Sequence, residues 1–224
     1  QDYGAISIGI AILGILTTLS LFGLSEGVLR YTAFYRSKGN YKRVREIIYS
    51  AFRLTAPASI ILAVLLFIFS DWVAIKIFHD LGLSQVIKII AIALPFNSLR
   101  ELLFQITRAF QKVEYEVYSK HIAENLIKVI LALIFLMLGY KLVGLALSYT
   151  LAIFSSFIII FYLLEKKVLP VIKKNLTWKA NIQRDKINSR FINTELLFYS
   201  LPLLFSKLIF SVILWKDTLM LGVL

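Results

Sequence analysis

The hydrophobic pattern of the chain is a series of long apolar runs separated by short polar segments. The first run extends from residue 6 to residue 24, and its polar interruptions are Thr17, Thr18 and Ser20. An apolar run of about 18 or more residues is long enough to cross a bilayer core as a helix. The pattern predicts six membrane helices, which we call A to F, at residues 4–24, 47–70, 86–112, 122–138, 142–164 and 196–214.

The charged residues predict the direction of these helices. Lys and Arg concentrate in one cluster after helix A and another between helices E and F, and the positive-inside rule assigns both clusters to the cytoplasm. The segments after helices B and D carry little charge and are predicted to lie outside. The net charge of +12 therefore follows from membrane topology and does not indicate a nucleic acid partner. The clusters consist of Arg30, Arg36, Lys38, Lys42, Arg43 and Arg45, and of Lys166, Lys167, Lys173, Lys174, Lys179, Arg184, Lys186 and Arg190.

The composition supports a multi-pass membrane protein of the all-α class, a polytopic helix bundle. Hydrophobic residues make up 59% of the chain and charged residues 17%, against about 45–50% and about 25% in soluble domains. The absence of cysteine excludes disulfides and thiolate metal sites, and two histidines do not suggest a metal centre. Because the chain begins without Met and stops within apolar sequence, we expect a fragment that has lost an earlier helix.

Polar residues within helix C are the first candidates for a functional site. Glu101 lies within the predicted hydrocarbon zone, where a charge facing lipid costs at least about 2.5–3.5 kcal/mol. The stripe must therefore face protein or water. It forms either a hydrophilic cavity that binds an anionic or sugar-bearing substrate, which we favour, or a set of interhelical ion pairs. At 100° per residue the stripe contains Asn97, Ser98, Glu101, Gln105, Arg108 and Lys112, with Arg100 at its edge and Leu99, Leu103, Ile106 and Phe110 opposite.

Other helices add further charged candidates. Glu124 and Lys128 of helix D are four residues apart, which suits either a salt bridge or a cavity role. Arg30, which follows helix A, either reaches the lipid phosphates or contacts substrate. Lys207 lies in the middle of helix F, where a lone cation favours a cavity or coupling role.

No catalytic arrangement is visible in the sequence. It lacks a phosphate-binding glycine loop, a Ser/His/Asp arrangement and any metal-ligand spacing, so neither an enzyme nor a cofactor is indicated. A membrane-embedded glycan transferase would need an acidic or histidine cluster at the membrane surface. A purely structural scaffold is disfavoured by the charges within the helices.

Several motifs together resemble one family of transporters. LFGLSEGVLRY at 21–31, followed by GNYK at 39–42, resembles the second helix and first inner loop of polysaccharide-biosynthesis flippases. These are the O-antigen and capsule repeat-unit flippases of the multidrug/oligosaccharidyl-lipid/polysaccharide exporter superfamily. Further similar segments are LPF at 94–96 and RAFQK at 108–112 (fourth helix), GLALSY at 144–149 (sixth), and YSLPL at 199–203 and DTLMLG at 217–222 (seventh).

The resemblance implies two six-helix lobes around a central cavity that opens alternately to the two sides. Residues 1–164 would be the first lobe without its first helix, 165–193 a basic cytoplasmic linker, and 194–224 the first helix of the second lobe. The implied function is to move a polyprenyl-pyrophosphate-linked oligosaccharide from the inner to the outer leaflet of the cell membrane. The partners would be this glycan lipid, the bilayer and a coupling cation.

The predicted cavity residues combine the charged positions of the apolar helices with those that match the family motifs. The charged positions that match the family are Arg30, Arg108 and Asp217. The alternative function is a multidrug/cation antiporter of the same superfamily, which would favour an acidic, aromatic-lined cavity, whereas these candidates are mainly cationic. The full set is Arg30, Arg100, Glu101, Arg108, Lys128, Lys207 and Asp217.

Overall fold

The computed structural model describes residues 2–79, 81–167, 170 and 189–223, with side chains described for 4–79, 82–167, 170, 198–216 and 220. All regular elements in these ranges are helical, which confirms the all-α prediction. The elements are α1 (Asp2–Ser20), α2 (Leu24–Ser37), α3 (Tyr41–Lys76), α4 (Leu81–Ala109), α5 (Val113–Glu116), a π-helical segment (Val117–Ala123), α6 (Glu124–Met137), α7 (Lys141–Lys167) and α8 (Ser189–Val223).

The distribution of apolar and polar side chains is that of a membrane protein. Ile61 and Ile68 on α3 are 59% and 64% exposed, whereas Ser98 and Ser156 inside the bundle are fully buried. Such exposed aliphatic side chains on several helices would be unfavourable in water, whereas contact with lipid tails is favourable for them. The prediction of a membrane helix bundle is thereby confirmed.

Three helical stretches are long and apolar enough to cross a membrane: Tyr41–Lys76, Lys141–Lys167 and Phe198–Lys216. A fourth span results if the bent pair Gly4–Ser20 and Leu24–Ser37 is counted as one. These stretches correspond to helices B, E, F and A. Membrane crossing by helix C (α4) and helix D (the helical run from α5 through α6) stays a prediction.

The first span is broken, which the sequence pattern did not predict. We expected one helix to residue 24 and a basic loop after it, but α1 ends at Ser20 and α2 continues to Ser37 at an angle of 51°. Phe22 and Gly23 take left-handed φ values of 46° and 70°, which interrupt the helical hydrogen bonding. The basic segment is helical because Leu24, Val28 and Thr32, one turn apart, bury one face of α2.

The other helix limits differ from the predicted ones by one to nine residues. Helix B was expected to end at residue 70, yet α3 continues to Lys76, and Asp71 within it forms a 2.9 Å ion pair with Lys88 of α4. A tight turn joins α6 to α7, with Gly139 at φ 82°. Helix F was predicted to begin at residue 196, whereas α8 begins seven residues earlier, at Ser189.

Helix α4 is the centre of the bundle and packs against α1, α2, α3 and α7. Its Leu102, Leu103, Phe104 and Ile106 are almost completely buried. The apolar side of the predicted stripe therefore faces protein as well, so that α4 has no lipid-facing side at this level. Helix α8 packs against α1 and α2 at the edge of the bundle.

The predicted linker, residues 165–193, falls largely outside the described residues, which resume at residue 189. The division into a first lobe, a linker and the start of a second lobe stays a proposal.

Candidate functional site

Arg100 of α4 is the centre of a buried polar network. The residue is 4% exposed. Its Nη2 donates to Asn97 Oδ1 at 2.6 Å, and its Nη1 donates to Glu124 Oε2 of α6. Asn97 in turn donates through Nδ2 to Thr17 Oγ1 at 2.8 Å. One guanidinium thus links α1, α4 and α6 across the bundle interior.

A second ion pair lies next to this network. Lys120 Nζ in the π-helical segment is 3.0 Å from Glu101 Oε1, and Arg100 Nη2 is 3.8 Å from the same oxygen. The two cations and the two carboxylates, Glu101 and Glu124, balance in formal charge. This balance lowers the cost of holding four ionisable groups in a low-dielectric interior.

Arg108 lies in the last turn of α4, at its C-terminal end. Its Nε and Nη2 each donate to a different oxygen of Glu116 at 2.6 Å, a bidentate geometry that is among the strongest ion-pair arrangements. The Glu116 side chain is 6% exposed and that of Arg108 is 43% exposed. Arg108 therefore has one side engaged in the fold and another open to the surroundings.

These contacts match the ion-pair alternative for helix C, although we favoured the cavity. Arg100, Glu101 and Arg108 each have a carboxylate or ammonium partner on a neighbouring segment. Within the described part of the chain, no three His, Asp or Glu side chains are grouped so that they could hold a metal ion. Whether any of these residues also contacts a ligand stays a hypothesis.

Glu124 and Lys128 of α6 do not pair with each other. Glu124 is engaged by Arg100, whereas Lys128 Nζ donates to Asn125 Oδ1 at 3.0 Å and lies 5.6 Å from the ring centre of Tyr149. The salt bridge considered at their four-residue spacing is therefore absent from the structure. Among the described residues Lys128 has an amide and a ring as partners but no carboxylate, and it stays a cavity candidate.

Helix α8 meets α2 through a charged contact. Lys207 Nζ donates to Ser25 Oγ at 2.7 Å and lies 2.8 Å from Glu26 Oε1. One turn further along α2, the Arg30 guanidinium lies over the ring of Tyr199, 4.5 Å from its centre. Lys207 and Arg30 are thus brought to the same interface between α2 and α8.

Glycine residues allow α8 to approach α1 and α2 closely. A Cβ atom on Gly23 would lie 2.2 Å from the backbone oxygen of Ser200, and one on Gly14 would lie 3.0 Å from Trp215 Nε1. Thr18 and Ser211 add a 3.2 Å hydrogen bond between α1 and α8. The interface contains small and polar groups along its length, as in packed membrane helices.

Comparison with known families identifies the chain. The polysaccharide biosynthesis protein family matches residues 1–224, which is the whole sequence. This chain belongs to that family. The match confirms the resemblance inferred from the sequence motifs. No curated protein and no solved structure gives a significant match.

Membership of the polysaccharide biosynthesis family defines the function class. The family is associated with polysaccharide-biosynthesis transporters, and its members are typically transporters rather than enzymes. The chain is accordingly a membrane protein of a polysaccharide transport family. Of the residues predicted from its sequence, the side chain of Asp217 lies outside the described side chains.

The sequence did not reveal several residues that form ion pairs or hydrogen bonds with the candidate site residues. Neither Glu116 nor Lys120 was singled out as a candidate. Ser25 and Thr17 were not considered as hydrogen-bonding partners. Their signal was weak because small polar residues are common in membrane helices, and only tertiary contact identifies which of them bond to a neighbour.

Proposed function

We propose that this protein is a flippase that moves a polyprenyl-pyrophosphate-linked oligosaccharide from the inner to the outer leaflet of the cell membrane. The observation that carries the proposal is the position of Lys207. It lies midway along the candidate span Phe198–Lys216, at the contact between α8 and α2. The pyrophosphate head of this lipid is anionic and its polyprenyl tail is apolar. Passage of the head across the membrane therefore requires cations at membrane depth.

The ion pair between Lys207 and Glu26 is suited to replacement of the Glu26 carboxylate by another anion. The Lys207 and Glu26 side chains are 36% and 39% exposed, so the pair is accessible from outside the protein interior. A phosphate oxygen that replaced the Glu26 carboxylate would restore the charge-assisted hydrogen bond of Lys207, and the bond to Ser25 Oγ would be retained. Arg30, whose present partner is the Tyr199 ring, supplies a second cation one turn away.

The interior network has a different role in this proposal. The Arg100–Glu124 and Glu101–Lys120 contacts join α4 to α6 and the π-helical segment, and would keep the first lobe rigid while it moves against the second. Residues 1–164, 165–193 and 194–224 are proposed as first lobe, linker and beginning of the second lobe. The Lys207–Glu26 pair would then lie between the lobes, with Lys128 and Asp217 as further cavity candidates.

The test is complementation of a deletion strain with the full-length gene. The deletion should leave lipid-linked repeat units on the inner leaflet and remove the surface glycan. Lys207→Gln should lower surface glycan about tenfold or more, since a hydrogen bond to a charged group contributes about 1.5–3 kcal/mol. Lys207→Arg should retain part of the activity, and Lys216→Gln on the same helix is the matched control.

Folding is separated from transport by a second variant. In Glu26→Gln/Lys207→Gln both members of the charged pair are replaced by neutral amides. Any membrane abundance lost in Lys207→Gln should therefore be restored in this double variant, while the surface glycan stays low. A deletion strain that keeps its surface glycan but becomes sensitive to cationic drugs would refute the flippase and support the cation antiporter.

A further inference from the structure

The outer face of α3 changes from apolar to basic at one level. Ile60 and Val64 on this face are 53% and 52% exposed. Toward the N-terminus, Tyr49 (69% exposed), Arg45 and Arg53 continue the same face of the helix, since they lie within about 60° of Ile60 at 100° per residue. We propose that this basic part of α3 binds the headgroup of an anionic phospholipid.

The length of α3 puts Arg53 at the edge of the apolar part of the helix. Residues 54–70 are mostly apolar and extend about 25 Å at 1.5 Å per residue, close to the thickness of a bilayer core. Arg53 directly precedes them, at the level of lipid phosphates. Tyr49 is one turn further out, at the depth where Tyr side chains concentrate in membrane proteins.

The charges on this face are not neutralised by acidic partners. Among the described residues, Arg45 and Arg53 have no carboxylate within 4.0 Å. Glu46 is the acidic residue on this part of the face, and its Oε2 atom is buried without a hydrogen-bond partner. The face keeps an excess of positive charge.

The surroundings of these cations select a lipid rather than a soluble anion. The apolar face of α3 continues directly from the basic part, so one molecule with acyl chains and an anionic head can contact both. Arg45 lies about 12 Å along the helix from Arg53 by helical rise. A headgroup between the two side chains lies about 6 Å from each along the helix axis, within one Debye length of about 8–10 Å. A zwitterionic lipid would gain less from either cation.

Native mass spectrometry of the full-length protein in detergent micelles tests this site, with phosphatidylglycerol and phosphatidylcholine of the same acyl chains as probes. The wild type should retain phosphatidylglycerol in preference. Arg45→Gln/Arg53→Gln should lose about fivefold in affinity for each charge removed, which corresponds to about 1 kcal/mol per basic residue near an anionic surface. Lys166→Gln/Lys167→Gln at the exposed end of α7 is the charge-matched control and should bind as the wild type does.

Two further measurements decide the interpretation. Arg45→Lys/Arg53→Lys keeps the charges and should keep the preference, which separates charge from folding. Inorganic phosphate should fail to displace the lipid. Equal retention of both lipids by the wild type, an equal loss in the control, or full displacement by phosphate would overturn the proposal. The readout involves no glycan, so its failure is distinct from failure of the flippase.

Discussion

Arg100 shows how a charged residue is accommodated in an apolar helix. An unpaired guanidinium in the bundle interior would be strongly unfavourable, and three groups on two helices remove most of that cost: Glu124, Asn97 and, more distantly, Glu101. The arrangement depends on all its members, because removal of one leaves an opposite charge buried without a partner. Lys112 and Glu114, 3.4 Å apart and about half exposed, are a contrasting pair in solvent.

Glu124→Gln should therefore lower the free energy of unfolding by about 3–5 kcal/mol, the usual cost of breaking a buried ion pair. Glu114→Gln should change it by at most about 1 kcal/mol, because exposed pairs are screened by water. The measurement is equilibrium unfolding of the full-length protein in detergent. Replacing both Arg100 and Glu124 by Met and Leu should recover much of the loss, and a double variant as unstable as the single one would contradict this account.

The broken span is the main feature at the scale of elements. α1 and α2 meet at Phe22 and Gly23, and α8 contacts the bend with its backbone near Ser200. Gly23 meets two demands at once, a positive φ and the close approach of another helix. Gly139 has a φ of 82° but open space around it, and Gly4 has open space and no positive φ.

These three glycines give a graded prediction. Gly4→Ala should not destabilise the protein. Gly139→Ala should cost about 1–2 kcal/mol from left-handed strain alone. Gly23→Ala should cost more than Gly139→Ala, because its Cβ would also push α8 away. Unfolding measurements on the three variants give the order, and a Gly23 variant no less stable than the Gly139 variant would show that α8 does not pack against the bend.

At the scale of the whole molecule, the bundle exposes many apolar side chains and buries polar ones, as a membrane protein does. Membership of a polysaccharide transport family agrees with this membrane arrangement. The direction in which the helices cross still rests on the distribution of Lys and Arg. The first basic cluster lies on α2 and the beginning of α3, and Lys166 and Lys167 end α7. Both would lie in the cytoplasm under the positive-inside rule.

Single cysteines test this topology, because the chain has none of its own. Cysteines at Gly82 and Tyr140 should react with an impermeant thiol reagent in intact cells, whereas those at Lys38 and Lys179 should react only after lysis. Labelling of the residue 179 variant from outside would reverse the orientation. Gly82, near the start of α4, and Tyr140, just before α7, are predicted to lie on the same side of the membrane. Each variant is therefore a positive control for the other.

The sequence by itself determined the helical class, the membrane setting, the family and the approximate ends of most helices, because apolar runs and local motifs depend on residues close together in the chain. It also indicated that Asn97 and Glu101 face protein or water, and that Lys207 has a cavity or coupling role. Only the tertiary structure decided the partners: Arg100 with Glu124, Lys120 with Glu101, and Lys207 with Glu26. The bend after Ser20 was likewise decided by contact, since α2 is held as a helix by burial against α4. Ion pairs form between residues far apart in sequence, and spacing along one helix cannot identify them.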